Sequence, residues 1–264
     1  MAAPTRVVIS GAQGRMGQAL LSLLSDDESI HPVALLENAN SFQPGDCASV
    51  GRWGDVALLS APSAEIDFDV LIDFSVPSAS LAHLGACVEF GKAMVIGTTG
   101  FDDHGLARIG EAAAQIPIMQ ASNYSLGVAM LMQLAQSVSA SLGANAQIEI
   151  VEMHHHRKVD APSGTALSLL ERVQKGLGET LPVSHGRVGQ VGPRLSQEIG
   201  MHALRGGDVV GEHSIIFAME GERLELVHKA SSRSNFAQGA LASARWLVNQ
   251  VPGLYGIEDL LGAD

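Results

Sequence analysis

Aromatic residues are scarce in this chain, 4% of 264, too few to build a stacking platform for successive nucleobases. Positive charge is also in short supply. Sixteen lysines and arginines stand against 28 acidic residues, a formal net charge of −12. Such a chain repels nucleic acid and anionic membranes. Cations that gather in it do so locally, for a small anion. No apolar run approaches the ~20 residues of a membrane-spanning helix. The two cysteines, Cys47 and Cys87, lack metal-type spacing, and reduced thiols in a cytoplasmic chain are the expectation. The opening residues are a short polar lead into a strand, without the charged region, apolar core and cleavage site of a secretory signal. Internal repeats and low-complexity tracts are absent from the sequence.

What is present is an ordinary core-forming composition, 46% hydrophobic and 17% charged. At this length it implies one large or two moderate domains. Residues 6–10 form a β-branched run that ends at Gly11, and helical spacing follows from residue 18. Strand, glycine-rich turn and helix is the pattern that holds a pyrophosphate against a helix N-terminus. Here the glycines are Gly11, Gly14 and Gly17, spaced GxxGxxG rather than the usual GxGxxG. The next strand, residues 31–36, ends at Glu37, placed to accept hydrogen bonds from the adenosine ribose hydroxyls. Asn38 follows, and with no cation there the reading favours NADH over NADPH, although Arg15 in the turn offers one.

Strands at 70–74, 93–96 and 117–120 alternate with helices at 78–90 and 103–115, which predicts a Rossmann-like doubly wound parallel sheet. Ligands bind such sheets at the carboxyl ends of the strands, so Phe74-Ser75, residues 97–100 and residues 121–125 are expected to line one crevice. Residues 39–69 read as irregular, with Trp53 an anchor and Asp67 and Asp69 solvated turn residues. The methionines at 130 and 132 read as the core stripe of a helix at 128–142.

Beyond residue 126 the pattern changes. A strand at 147–153 carries Glu149 and Glu152 on opposite faces by parity. A helix at 166–176, a loop at 178–195 and strands at 199–204, 211–219 and 224–229 follow. Their glycine-containing turns predict antiparallel hairpins. The class is a second α+β domain with an open, mostly antiparallel or mixed sheet. The expected domains are 1–125, which binds a dinucleotide, and 126–234, which binds substrate and mediates oligomerisation. Residues 235–264 are expected to pack back on the first domain.

The densest polar stretch is Glu152-Met153-His154-His155-His156-Arg157-Lys158-Val159-Asp160-Ala161-Pro162-Ser163-Gly164-Thr165-Ala166. Pro162, the hydroxyl of Ser163 and Gly164 open a helix and expose amides to an anion. Lys158 adds a charge-assisted contact, and a histidine supplies a proton near neutral pH. Three histidines also raise a metal, since His154 and His156 share a side of an extended chain. Yet Arg157 and Lys158 put positive charge beside it and no HExxH or cysteine pattern is present. An anion-binding, proton-donating site is the reading preferred, with no metal.

This stretch resembles the signature of the 4-hydroxy-tetrahydrodipicolinate (dihydrodipicolinate) reductase family. The resemblance extends to residues 11–17, 74–77, 97–100, 123–125, 211–213 and 228–233. It implies reduction, with NADH or NADPH, of a cyclic unsaturated imine dicarboxylate in lysine and diaminopimelate synthesis. By resemblance His154 is the proton donor and Lys158 a second catalytic residue. His155, Ser163, Gly164 and Thr165 hold the substrate carboxylates. Cofactor contacts fall on Gly11, Gly14, Arg15, Met16, Gly17, Glu37 and Phe74, on Gly97, Thr98 and Thr99, and on Ala121, Asn123 and Tyr124. The resemblance also implies a homotetramer joined through the second domain's sheet. Asn38 departs from the arginine of several members. His156, Arg157 and Arg233 take no assigned role. Two other classes stay open: a non-catalytic dinucleotide sensor, which predicts binding without turnover, and a metal-dependent hydrolase, which predicts sensitivity to chelators.

Overall fold

Short apolar runs at the start of the chain become parallel strands because each is followed by a helix or loop that returns the chain to the same edge. A computed structural model describes residues 3–262. One unit runs to Leu126 and resumes at Ser234, and the other is Gly127–Arg233. In chain order the first unit opens with β1 (Thr5–Ser10), α1 (Arg15–Leu24), β2 (Ile30–Leu36), β3 (Cys47–Ser49), β4 (Asp55–Leu59) and β5 (Val70–Asp73). It continues with α2 (Pro77–Phe90), β6 (Ala93–Ile96), α3 (Asp103–Ala113) and β7 (Pro117–Gln120). The second unit holds α4 (Leu126–Leu142), β8 (Gln147–His154), α5 (Gly164–Leu177), β9 (Val183–Ser184), β10 (Ile199–Arg205), β11 (Gly211–Met219) and β12 (Glu222–Ala230). The chain then returns to the first unit with α6 (Ser234–Leu247), β13 (Gly253–Tyr255) and α7 (Ile257–Leu260).

The first sheet has the order β13-β7-β6-β5-β1-β2-β4-β3, parallel except for β3 against β4. Every residue of β5 and β6 is buried, as expected of strands covered on both faces. The strand order reverses between β1 and β5, so their carboxyl ends leave a crevice at Gly11 and Phe74. Helix α6 packs on α1 and the central strands through Ala237, Ala240, Ala244 and Leu247. Gly239 permits that approach, because a Cβ there would collide with the Tyr124 carbonyl.

Some expectations are corrected in this unit and others are met. The irregular 39–69 segment contains β3 and β4, too short to carry a periodic signal. Asp67 and Asp69 both pair with Arg6, and Asp69 also accepts the Arg6 backbone amide at 2.8 Å. Asp69 thus clamps the start of β1, whereas Asp67, with 75% of its side chain in solvent, is the solvated turn residue expected. Trp53 is half-buried, donates its indole N–H to the Leu24 carbonyl at 3.1 Å and stacks on His31.

In the second unit the sheet order is β12-β11-β8-β10-β9. β8 lies between β10, which runs parallel to it, and β11, which runs antiparallel. The expected run of hairpins therefore holds only for β11–β12. The 206–210 connection carries the chain across β8 instead of turning it back on β10. The sheet is mixed. Along β8 the even-numbered residues Ile148, Ile150, Glu152 and His154 are buried. The aliphatic pair joins a core with Leu131, Ala135, Leu169, Val173 and Phe217. Met132 packs on this core, but Met130 is exposed, so only half of the methionine pair belongs to the stripe. On the other face Glu149 accepts from Arg194 Nε at 2.8 Å and Arg187 Nη2 at 2.9 Å, and lies 2.7 Å from His202 Nε2. These contacts tie the 185–198 segment to the sheet. Gly200 makes room for the Glu149 carboxylate, which a Cβ there would strike.

Candidate active site

In the first unit, Gly11 adopts φ +74°, and a Cβ there would collide with the Phe74 carbonyl. A Cβ at Gly17 would collide with the Gly11 and Ala12 backbone. The turn can be this tight only with glycine at both places. Helix α1 starts at Arg15, exposed, with Gly14 at its N-cap and no side-chain cap. Met16 is half-buried in the same first turn. The Gln13 amide donates to Glu37 Oε1 at 2.5 Å, fixing the carboxylate beside the turn with its second oxygen available. Gly11, Gly14, Glu37, Asn38, Phe74 and His83 line a cavity of about 530 Å³. A cradle that glycine alone permits, an uncapped helix end and a ribose-binding carboxylate fit the phosphates and adenosine of a dinucleotide.

The remaining cofactor candidates divide. The Phe74 ring lies over Gly97, where a Cβ would strike it. Thr99 is exposed at the strand end, and Ala121 is half-buried. Thr98 is buried and donates to Asp73 Oδ1 at 2.5 Å while accepting the Ser75 amide at 2.9 Å. Tyr124 is buried too, with its hydroxyl shared between the Ile96 and Met119 carbonyls at 2.9 and 3.2 Å. Asn123 Oδ1 accepts the Ser125 amide at 2.9 Å. The Thr98 and Tyr124 side chains thus brace the crevice from inside.

In the second unit, the polar site forms where β8 runs out. Glu152 is fully buried and accepts both Arg205 Nη1 at 2.8 Å and Nη2 at 2.9 Å, His154 Nδ1 at 2.6 Å and the Ser163 amide at 3.1 Å. Burial opposes its ionisation, but the bonds from Arg205, His154 and Ser163 outweigh this and hold the carboxyl below its usual range. An ionised carboxylate only accepts, so Nδ1 of His154 carries hydrogen and Nε2 is the nitrogen left for chemistry. A Cβ at Gly211 would stand 3.0 Å from that Nε2, and glycine keeps the approach open.

Ser163 N-caps α5, accepting the Ala166 amide at 3.2 Å, and shares a 3.3 Å hydrogen bond with His213 Nε2. Gly164 and Thr165 are the first two residues of that helix, so their amides belong to a helix N-terminus, which favours an anion. His213 is buried with its ring edge-on to His154 at 5.2 Å. Burial, with His154 beside it, pushes its pKa down to about 4, so it is neutral at pH 7. Lys158 is paired with Asp160 at 2.9 Å. Ammonium has two further donors for a substrate oxygen. His155 is half-buried and disfavoured as a cation, first by desolvation and then by Arg157 and Arg233. Both arginines therefore lie within electrostatic reach of His155. His156 binds the Gly207 carbonyl through Nδ1 at 2.8 Å, which ties it to the 206–210 connection and separates it from His154. Among the described residues no group of three His, Cys, Asp or Glu side chains is disposed to hold a metal ion.

Residues 5–124 match the family described as dihydrodipicolinate reductase, N-terminus, and residues 127–261 match dihydrodipicolinate reductase, C-terminus. The chain belongs to the dihydrodipicolinate reductase family. It is thereby an NAD(P)H-dependent oxidoreductase of lysine and diaminopimelate biosynthesis. Its fold is similar to that of the dipicolinate-bound dihydrodipicolinate reductase from Paenisporosarcina sp. TG-14, with TM-score 0.78 and 26% identity over 97% of this chain and 99% of that one. More distant folds include an amine dehydrogenase from Mycobacterium smegmatis, with TM-score 0.61 and 11% identity over 97% and 96% of the two chains. Another is the C. glutamicum DAP dehydrogenase in complex with DAP, with TM-score 0.56 and 13% identity over 100% and 97%. No helix among the described residues is long and apolar enough to cross a membrane.

Three groups of this reductase family member escaped sequence reasoning. Asp73 is fully buried, and its carboxylate takes His83 Nδ1 at 2.7 Å together with Thr98 and Ser75. Its position in an apolar strand gave no sign of that network. Strand parity set Glu152 opposite Glu149 but did not mark it as the buried one, on the side of Ile148 and Ile150. Arg205 and His213 come from strands more than fifty residues downstream, and nothing local ties them to His154.

Proposed function

We propose that this chain reduces the cyclic unsaturated imine dicarboxylate derived from 4-hydroxy-tetrahydrodipicolinate to tetrahydrodipicolinate. In this reading the first unit binds NADH or NADPH and the second binds the dianion. The observation that carries it is the pairing of His154 with the N-terminus of α5. A ring nitrogen free to donate a proton and a helix end suited to a carboxylate are held by one buried group. A planar dicarboxylate fits that combination, and the related Paenisporosarcina enzyme binds dipicolinate.

A bound nicotinamide supplies the hydride. The Gly164 and Thr165 amides, Ser163 and His155 hold the carboxylates. Lys158 neutralises charge on the ring substituents, and Nε2 of His154 delivers the proton. The turn with Gly11, Gly14, Arg15, Met16 and Gly17 holds the pyrophosphate, and Glu37 holds the ribose. The strand ends at Phe74, Gly97 to Thr99 and Ala121 to Tyr124 shape the nicotinamide side. With Asn38 beside Glu37, NADH is favoured slightly. Freshly synthesised substrate, with NADH and NADPH oxidation followed separately, tests the assignment. Oxidation of both, faster with NADH, is expected; oxidation of neither refutes it.

The same reading takes the chain as cytoplasmic, which its two free thiols support, and as a homotetramer. Support for assembly comes from the outer face of the second sheet, where Leu204 and Val227 are half-exposed among charges. Sedimentation velocity that reads a monomer at micromolar concentration would refute the tetramer.

A further inference from the structure

We propose that Glu152 and Arg205 act as a positioning pair: they fix which nitrogen of His154 donates the proton and seat the anion-binding end of α5 on the same carboxylate. This rests on the reading of His154 as the proton donor.

Each Glu152 oxygen has two partners. Oε2 takes Arg205 Nη1 and His154 Nδ1, and Oε1 takes Arg205 Nη2 and the Ser163 amide. All four acceptor positions of the carboxylate are filled, so it has no freedom to rotate. An imidazole without such a partner exchanges between two tautomers and turns about its χ2 bond. With Nδ1–H held at 2.6 Å, Nε2 alone exchanges protons with substrate. The Ser163 amide fixes the helix end relative to that ring. Parallel pairing sets Arg205 abreast of His154, and Arg205 Nη2 also reaches the Asp160 carbonyl at 2.5 Å. One guanidinium therefore anchors the loop that carries Lys158 as well.

The charge balance is what makes the pair more than a brace. His154 faces the negative Glu152 on β8 and the positive Arg205 on β10. From β11 and β12 it meets His213 and, beyond it, His228. From the loop come His155 and the Lys158–Asp160 pair. Glu152 sets a negative charge against Nδ1 of the ring and Arg205 sets a positive one on the same carboxylate, so removing either one changes the field at the ring in the opposite sense.

Two variants and one spectrum test this. In Glu152→Gln the alkaline limb of the turnover profile is expected to move down by about one pH unit or more, and in Arg205→Gln up by a similar amount. The Michaelis constant for NADH is expected to stay unchanged in both. A role confined to folding lowers the amplitude without moving the limbs apart. Limbs that stay put, or move in the same direction, overturn the proposal. The tautomer is read without substrate, from ¹⁵N-histidine spectra of the intact protein, with the signal assigned through His154→Asn. Neutral His154 is expected as Nδ1–H in the wild type, and an Nε2–H ring there overturns the proposal even when neither variant folds. That readout is independent of turnover, so a protein inactive on the assayed substrate still tests the positioning pair.

Discussion

Replacing Glu149 by glutamine removes one charge from the outer face of the second sheet while keeping its shape. In the wild type, burial works against ionisation of Glu149, but Arg187, Arg194 and His202 outweigh it and bring the carboxyl from 4.5 to about 2. Fully realised, a displacement of that size corresponds to about 3.4 kcal/mol of folding stability. The side chain keeps 20% of its surface in water and Arg187 keeps 30%, so screening reduces this to about 1.5 kcal/mol. The sign follows from a folded-state pKa below the unfolded one. The stabilisation is complete above the ordinary glutamate range and drains away as pH falls from 4.5 towards 2. Urea unfolding should therefore show Glu149→Gln less stable than wild type by about 1.5 kcal/mol at pH 7. Most of that gap should have closed by pH 3. A deficit that stays constant from pH 7 to pH 3 would show that the cluster acts through packing, and would refute the charge argument.

Three further outcomes are expected. His154→Ala and Lys158→Ala should each lower turnover by about 10² or more while NADH affinity, titrated by nicotinamide fluorescence, stays nearly unchanged; parallel loss of NADH binding would contradict the two-site division. Gly17→Ala should weaken NADH binding at least tenfold and cost about 1–3 kcal/mol in urea melts, because the new methyl meets the Gly11 carbonyl; wild-type affinity would show that the turn relaxes freely. Asn38→Arg should raise the NADPH-to-NADH ratio of kcat/KM by about tenfold, one charge-assisted bond to a 2′-phosphate; an unmoved ratio would place the discriminating contact elsewhere.

Much of this molecule was legible because its signals are local. The strand, turn and helix around Gly11, Gly14 and Gly17 lie within twenty residues, and so does the Ser163 cap with its amides. The opposite facing of Glu149 and Glu152 follows from strand parity alone. What escaped is non-local or masked by composition. β10 and β11 flank β8 rather than each other, because the glycines at 206 and 207 turn a crossing connection as readily as a hairpin. Arg205 and His213 reach His154 only through that arrangement. Asp73 and His83 find each other from a strand and a helix whose apolar patterns both read as plain core. Lys158, read as a charge-assisted contact for the anion, also has a partner two residues away in Asp160, a pairing that spacing permits but does not require.

The two acidic residues of β8 stand three positions apart and face opposite ways. A strand that slips by one residue against its neighbours exchanges its faces. In this sheet such a slip would turn Glu149 into the apolar core among Leu169 and Phe217 and carry Glu152 away from Arg205. Both carboxylates would lose their cations at once, one of them in hydrocarbon. The misaligned strand is thus penalised from both sides of the sheet. The residues that orient the proton donor and those that clasp the outer segment act together as a proofreading device for the alignment of the strand that carries them.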